Sequence, residues 1–379
     1  MKVSCLQENL SRGLSIVGRA VALKSPLPIT SNILLQTDQS RLKLSATNLE
    51  IGITCWIGAK VEEEGAIAVP ARLITEFINS LPNERVDLNV TCRASARTLL
   101  LRCMRVEARI NGVDAEDFPP VPTADGQPTT TVEPGTLREA INQVAFAAAT
   151  DDSRPVLTGV HCKFAGDRLT LAAADGFRLA VRTLPLLQPV EEEMELIMPA
   201  RTLSELSRIL AAEEEPVELI IRQNKSQILI HLTNVEMVSQ LMQGSFPNYA
   251  QLIPQSYASR AVVNVAQFRE STKIASIFAR DSSGTVRLQA APGDDLLPGK
   301  MTISSRSDEV GDNVDEIDAI VEGEESKIAF NAKYLGDVLG VLTTQQVALE
   351  TNGHTSPGVL RPIGTDNYVH VIMPMFVQW

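Results

Sequence analysis

Aromatic residues make up only 4% of this 379-residue sequence, although 44% of it is hydrophobic. Any core must therefore be built largely from aliphatic side chains. No apolar run approaches the roughly 18 residues of a membrane-spanning helix. The first residues, MKVSCLQENL, turn polar too early for a secretory leader, so a cytoplasmic protein without membrane attachment is expected. Five cysteines (Cys5, Cys55, Cys92, Cys103, Cys162) are odd in number and lack CxxC spacing, a pattern of reduced thiols and not of a disulfide framework. The four histidines, His161, His231, His354 and His370, form neither HExxH nor CxxH, which argues against zinc. A P-loop is excluded because Gly293 to Lys300 has five residues between its glycines and Met301 in place of Ser or Thr. Asp151, Asp152, Asp114, Glu116 and Asp117 read as caps and turn residues. No nucleophile–base–orienter set emerges, so no catalytic residue, metal or cofactor is expected.

What is present is a motif written three times: Val69-Pro70-Ala71-Arg72, Met198-Pro199-Ala200-Arg201 and Phe330-Asn331-Ala332-Lys333. Pro or Asn opens a helix in each copy. Apolar residues then recur at Ile74, Phe77, Leu81; Leu203, Leu206, Leu210; and Leu335, Val338, Leu342, the spacing of one buried helix face. The copies lie 129 and 132 residues apart. A second helix precedes each: Leu10, Leu14, Val17 and Val21; Leu137, Ile141, Val144 and Ala148; Phe268, Ala275 and Ala279, where Thr272 breaks the stripe. The intervals from Leu10 to Pro70, Leu137 to Pro199 and Phe268 to Asn331 are 60, 62 and 63 residues, the mark of an internal repeat.

Alternating segments follow each helix, among them Leu42 to Ser45, Ile51 to Thr54, Val86 to Val90, Leu99 to Leu101, Leu169 to Leu171, Leu179 to Val181, Leu219 to Ile221 and Ile228 to Ile230. These are half-buried strands. The expectation is an α+β chain of three repeated two-layer domains, each with two helices and antiparallel sheets. Phe118-Pro119 and Phe246-Pro247 mark the boundaries, and the proline-bearing stretch 119–136 reads as an extended linker. The domains are set at 1–122, 129–252 and 255–379.

The net charge is −12, yet its distribution is uneven. The six repeat helices carry Arg12, Arg19, Arg72, Arg138, Arg201, Arg208, Arg269, Lys273, Arg280 and Lys333 against Glu8, Glu76, Glu139, Glu205, Glu270 and Asp337, which leaves them at +4 and the remainder at −16. A base in the first turn opposes the helix dipole, and base-before-acid at i, i+4 is the poorer order for pairing. Three such placements point to an external anion, phosphate above all.

Beyond composition, the chain resembles the bacterial sliding clamps, the beta subunits of DNA polymerase III, from Met1 to about Met375. The resemblance rests on Leu27-Pro28-Ile29, Val69-Pro70-Ala71-Arg72, Ala174-Asp175-Gly176-Phe177-Arg178-Leu179-Ala180, Phe246-Pro247-Asn248-Tyr249 and Met373-Pro374-Met375, in that order. It implies the DNA-clamp fold: a head-to-tail homodimer closing six domains into a ring, helices lining the hole and sheets forming the wall. The implied role is a non-catalytic processivity factor that encircles duplex DNA without reading its sequence. It would tether the polymerase III alpha subunit and be loaded by an ATP-driven clamp loader.

The resemblance further implies DNA contacts from Lys24, Arg72, Arg201 and Arg208, and the repeated motif adds Lys333. Asp151 stands where relatives place a neutral amide near DNA. An apolar groove for short Gln-plus-hydrophobic peptides, from polymerases, the clamp loader, mismatch repair and ligase, maps to Arg154, Leu157, Gly176, Arg178, Leu179, Pro247, Leu252, Val371, Ile372, Met373, Pro374 and Met375. The ring joint maps to Ala108 and Ile110 on one face and Ile277 and Phe278 on the other, with Asp294 and Asp295 facing Arg102 and Arg105. The tail Phe376-Val377-Gln378-Trp379 departs from the family pattern, with Trp379 over the groove or against the wall. Two other readings are a three-domain peptide-binding scaffold that never encircles DNA, and a metal-dependent hydrolase using Asp151 and Asp152.

Overall fold

A computed structural model describes the chain except residues 23–26, 94–95, 125, 152, 223, 281–282, 294–297, 308 and 310. Six α-helices are described: α1 (Gln7–Val17), α2 (Ala71–Ser80), α3 (Pro134–Val144), α4 (Ala200–Ile209), α5 (Val265–Ala279) and α6 (Ala332–Val341). They are the six repeat helices, two to a module, and every strand pairing described is antiparallel. The architecture is the expected α+β one, three modules of two helices each with antiparallel sheets. The chain forms two compact units, Met1–Gly135 with Arg208–Leu241, and Thr136–Ser207 with Met242–Trp379.

In the first unit, Leu10, Leu14 and Val17 of α1 are fully buried, each contributing about 1.5–3 kcal/mol by leaving water. They lie over strands Arg41–Thr47 and Ile51–Gly58. Gly13 permits the approach: a Cβ there would stand 2.5 Å from Leu44 Cδ1 and 3.0 Å from Ile57 Cγ2. Gln7 Nε2 donates to the Ile78 carbonyl at 2.7 Å, fastening α1 to α2. On α2 the buried positions are Ala71, Ile74 and Ile78; Phe77 is half-exposed, so the stripe shifts by one residue from the expected one.

The same unit contains an eight-stranded sheet in the order Thr130–Val132, Val217–Ile221, Gln227–His231, Val235–Gln240, Ile51–Gly58, Arg41–Thr47, Asn32–Asp38 and Ala66–Pro70. Two features differ from the sequence reading or extend it. The end of the supposed linker, Thr130–Val132, is a strand because it pairs with Val217–Ile221. In addition, the last strand of the second module joins the first module, with Val235 opposite Cys55 and Ser239 opposite Ile51. A separate five-stranded sheet ends at the edge strand Val106–Gly112, the last strand of the first module.

The second unit contains a twelve-stranded sheet. Here the same joint recurs: the last strand of the third module, Tyr368–Ile372, pairs with Arg178–Pro185 of the second, Arg178 opposite Ile372 and Arg182 opposite Tyr368. Strand Gly311–Gly323 pairs over residues 311–319 with Gly299–Ser307, and over 319–323 with Ser259–Asn264. One side of residues 311–318 thus has no strand neighbour among the described residues. Helix α5 buries Phe268, Ser271, Thr272, Ala275 and Ala279; Thr272 belongs to the stripe that its polarity was expected to break.

Candidate nucleic-acid interface and apolar groove

The repeated bases sit in the first turns of their helices, as their spacing requires. Arg72 donates from Nε to Glu76 at 2.7 Å, and Lys333 from Nζ to Asp337 Oδ2 at 2.7 Å. The neighbouring Glu76 carboxylate holds the Arg72 pKa above its ordinary value. Base-before-acid pairing is therefore realised in two copies despite its unfavourable order. Both bases nevertheless remain exposed, where solvent screens such pairs, so a phosphate can displace the carboxylate at little cost. Arg201 is exposed at the start of α4. In the first unit, Arg208 shares a crevice of about 430 Å³ with Arg12, Arg19 and Glu213 to Glu215. Lys24 lies outside the described residues. Asp151 is exposed and takes hydrogen bonds from the Ser153 hydroxyl and amide, which lower its pKa and keep it anionic.

In the second unit an apolar groove of about 450 Å³ opens beside Arg178–Pro185 and Tyr368–Ile372. Gly176, Arg178, Leu179, Leu252, Val371 and Met373, all among the residues the family resemblance assigned to a groove, line it. Leu179 and Val371 form its floor and pack with Val359 and Val369. Leu252 and Met373 are about half exposed at 55% and 45%, the solvent-facing apolar surface that an adaptable binding site needs. Arg154 stands beside the groove, donating from Nη2 to the Asp175 carbonyl at 2.7 Å. Gly176 has φ +94, and a Cβ there would meet Arg154 Nη1 at 2.6 Å, so the turn and the close approach both call for glycine.

Arg178 is the best-held side chain of the groove. Its Nε donates to Asp175 Oδ2 at 2.9 Å, Nη1 to Asp337 Oδ2 at 2.7 Å and Nη2 to the Phe146 carbonyl at 2.8 Å. Its guanidinium lies 4.5 Å from the Tyr334 ring centroid and 5.2 Å from that of Phe146. Such a fully engaged fork cannot swing freely.

Besides Arg154, five expected groove residues do not line it. Leu157 is buried, and Ile372 points to the opposite face of its strand from Val371. Pro247 is exposed in another segment. Pro374 and Met375 are half-buried, with the Met375 amide bonded to the Ala329 carbonyl. Conversely, Ala174, Phe177, Gln251, Pro254 and Pro357 line the groove without having been singled out. Phe177 carried a signal, an aromatic in a turn motif. Trp379 lies against Arg287, whose guanidinium is 5.8 Å from its ring, and does not line the groove.

At the expected joint, Ile110 is buried within its own chain and Ala108 is half-buried, both on the edge strand Val106–Gly112. Ile277 is exposed and Phe278 half-buried on α5. Arg102 pairs with Glu107 at 3.5 Å, and Asp294 and Asp295 fall outside the described residues. Among the described residues no group of three or more His, Cys, Asp or Glu could hold a metal. Burial raises the Cys5, Cys55 and Cys162 thiols to about 12, 11 and 12, far from the range of a nucleophilic thiolate.

Comparison with known proteins fits this geometry along the whole chain. Residues 1–122, 131–248 and 250–376 match, in turn, the N-terminal, central and C-terminal domains of the DNA polymerase III beta subunit. The beta sliding clamp of Synechocystis sp. is 32% identical, with 99% of each chain covered. That of Bacillus subtilis is 30% identical with the same coverage. The crystal structure of the DNA polymerase sliding clamp from Bacillus subtilis superposes with a TM-score of 0.92 at 29% identity, covering all of both chains. The beta subunit from Thermotoga maritima gives 0.88 at 28%, again over both full chains. The chain belongs to the DNA polymerase III beta subunit family, the bacterial sliding clamps.

Proposed function

We propose that this chain acts as a DNA sliding clamp by closing, as a head-to-tail pair of copies, into a ring around duplex DNA. The carrying observation is the repeated strand joint. A last strand pairs with a strand of the preceding module in both units, and the same two kinds of strand are left over: the edge strand Val106–Gly112 and residues 311–318 of Gly311–Gly323. Pairing them between two copies completes the series and uses up the open edges. Ala108, Ile110, Ile277 and Phe278 belong to that joint, and the modules run 1–122, 129–252 and 255–379.

Arg72, Arg201, Arg208 and Lys333, with Lys24, supply sequence-blind phosphate contacts. The negative remainder of the chain discourages DNA from adhering elsewhere. Encirclement makes the hold topological, so the lining needs only weak contacts and the ring slides. The groove beside Arg178 takes short Gln-plus-hydrophobic peptides from the polymerase alpha subunit, the clamp loader and repair proteins, in the cytoplasm. The chain itself performs no chemistry; it keeps enzymes near their template.

The test is retention on DNA. Protein loaded by its clamp loader and ATP onto nicked circular DNA is washed in high salt, with and without a linearising cut. Retention on the circle and loss from the linear form is expected. Equal loss from both would favour a peptide scaffold that does not encircle, because charge contacts alone weaken steeply with salt.

A further inference from the structure

Asp337 lies on α6, in the third module, and lines no part of the apolar groove. One of its oxygens, Oδ2, nevertheless takes two cations. Arg178 Nη1 reaches it at 2.7 Å from the second module, and Lys333 Nζ at 2.7 Å from one turn earlier on the same helix. The two donors differ in freedom. The Arg178 side chain is 6% exposed and is tied also to Asp175 and to the Phe146 carbonyl. The Lys333 side chain is 72% exposed, and its ammonium has no other partner among the described residues.

A buried guanidinium keeps its place only while its charge and each arm of its fork are answered. Among the described residues, the charged partners of Arg178 are Asp175, three residues away, and Asp337. Asp337 is the acceptor for Nη1, so without it one arm of the fork is left free and the groove wall that Arg178 forms loosens. A site whose side chains are fixed beforehand binds more tightly, because the ligand does not have to order them. Lys333 acts in the opposite sense. Two positive charges that meet at one oxygen repel each other, so moving the ammonium away leaves the carboxylate wholly to Arg178.

We infer that Asp337 is a positioning residue of the groove, holding Arg178 in its wall, and that Lys333 sets how firmly it holds. Peptide binding is then linked to the state of a lysine that lines no part of the groove. Whatever draws Lys333 off Asp337 tightens the groove, and a bound peptide makes Lys333 easier to draw off by the same factor. This role rests on the groove taking peptides, as proposed above, and needs no DNA. In a ring around DNA, a phosphate at Lys333 would make loaded copies hold their partners more tightly than free ones.

The probe is a fluorescein-labelled peptide in which glutamine is followed by apolar residues, titrated by anisotropy into the full-length protein without DNA. Wild type is compared with Asp337→Ala, Lys333→Met and the double variant. Lys333 is exposed, so Lys333→Met should keep the wild-type melting temperature, and it carries the test even where Asp337→Ala loosens the fold. Asp337→Ala is expected to weaken binding by about tenfold, the worth of one charge-assisted bond. Lys333→Met is expected to strengthen it by about two- to threefold, the scale of an exposed pair. The readout that a merely structural role would not move is the double-mutant cycle: once Asp337 is alanine, Lys333→Met should change nothing. Equal or weaker affinity in Lys333→Met than in wild type, or the same gain with and without Asp337, overturns the proposal. No binding to wild type, by contrast, removes the groove reading itself and this role with it.

Discussion

Arg178 and Asp337 meet at 2.7 Å across 159 residues of sequence, and Lys333 reaches the same carboxylate oxygen from its other side at 2.7 Å. One acid thus anchors a groove arginine and a helix lysine at once. Removing the Arg178 guanidinium takes one donor each from the Asp175 carboxylate and from Asp337, which Lys333 still serves, and the donor from the Phe146 carbonyl. Arg178→Met should therefore lower stability by about 2–4 kcal/mol, read as a lower urea midpoint. Arg178→Lys should restore little, because an ammonium cannot reproduce the fork between two rings.

Overpacking at Gly13 gives a second expectation. Gly13→Ala improves helix propensity but drives a methyl into Leu44 and Ile57. A net loss of about 1–3 kcal/mol is expected, read by thermal unfolding; a gain would overturn it.

Arg72 separates binding from stability. Its pair with Glu76 is exposed, so Arg72→Gln should leave the urea midpoint essentially unchanged. The slope of log affinity for duplex against log salt should nevertheless become shallower, by about one unit for each phosphate that is no longer neutralised.

A pH effect arises at His370, which is fully buried and held down to about 3, chiefly by burial, with Arg178 adding to the effect. The unfolded chain takes up this proton near pH 6.5, while the folded protein refuses it. The stability it confers is complete above 6.5 and declines as pH falls toward 3, by up to about 1.4 kcal/mol per pH unit. Urea midpoints against pH should show this slope in wild type and lose it in His370→Asn.

The proposed joint between copies gives a further expectation, at a residue that is exposed within one chain. Ile277 is 55% exposed, so Ile277→Arg should leave the melting behaviour of the single chain intact. It should raise the dimer dissociation constant at least about tenfold, the equivalent of about 1.4 kcal/mol, in sedimentation experiments.

The helices were legible because burial imposes a period that each repeat records. Leu10, Leu14 and Val17, or Leu335 and Val338, face inward where their spacing put them. Pairings between modules were not legible: nothing local to Val235–Gln240 says that its neighbour is Ile51–Gly58. For the same reason nothing local to Arg178 shows how it is held, since its partners Phe146, Tyr334 and Asp337 are distant in sequence. Phe77 was misplaced by one position because Phe77 and Ile78 are both apolar and periodicity alone cannot choose between them. Pro357 had no signal at all; the fold carries it to the groove wall.

The left-over edges also bear on how the proposed ring would open. Two copies joined head to tail have two identical latches, and admitting a duplex requires only one to part while the other acts as a hinge. The dissociation constant of the pair reports the loss of both. It therefore understates how readily the ring gapes, and a weakly perturbed joint should speed loading and escape well before any free single copies can be detected.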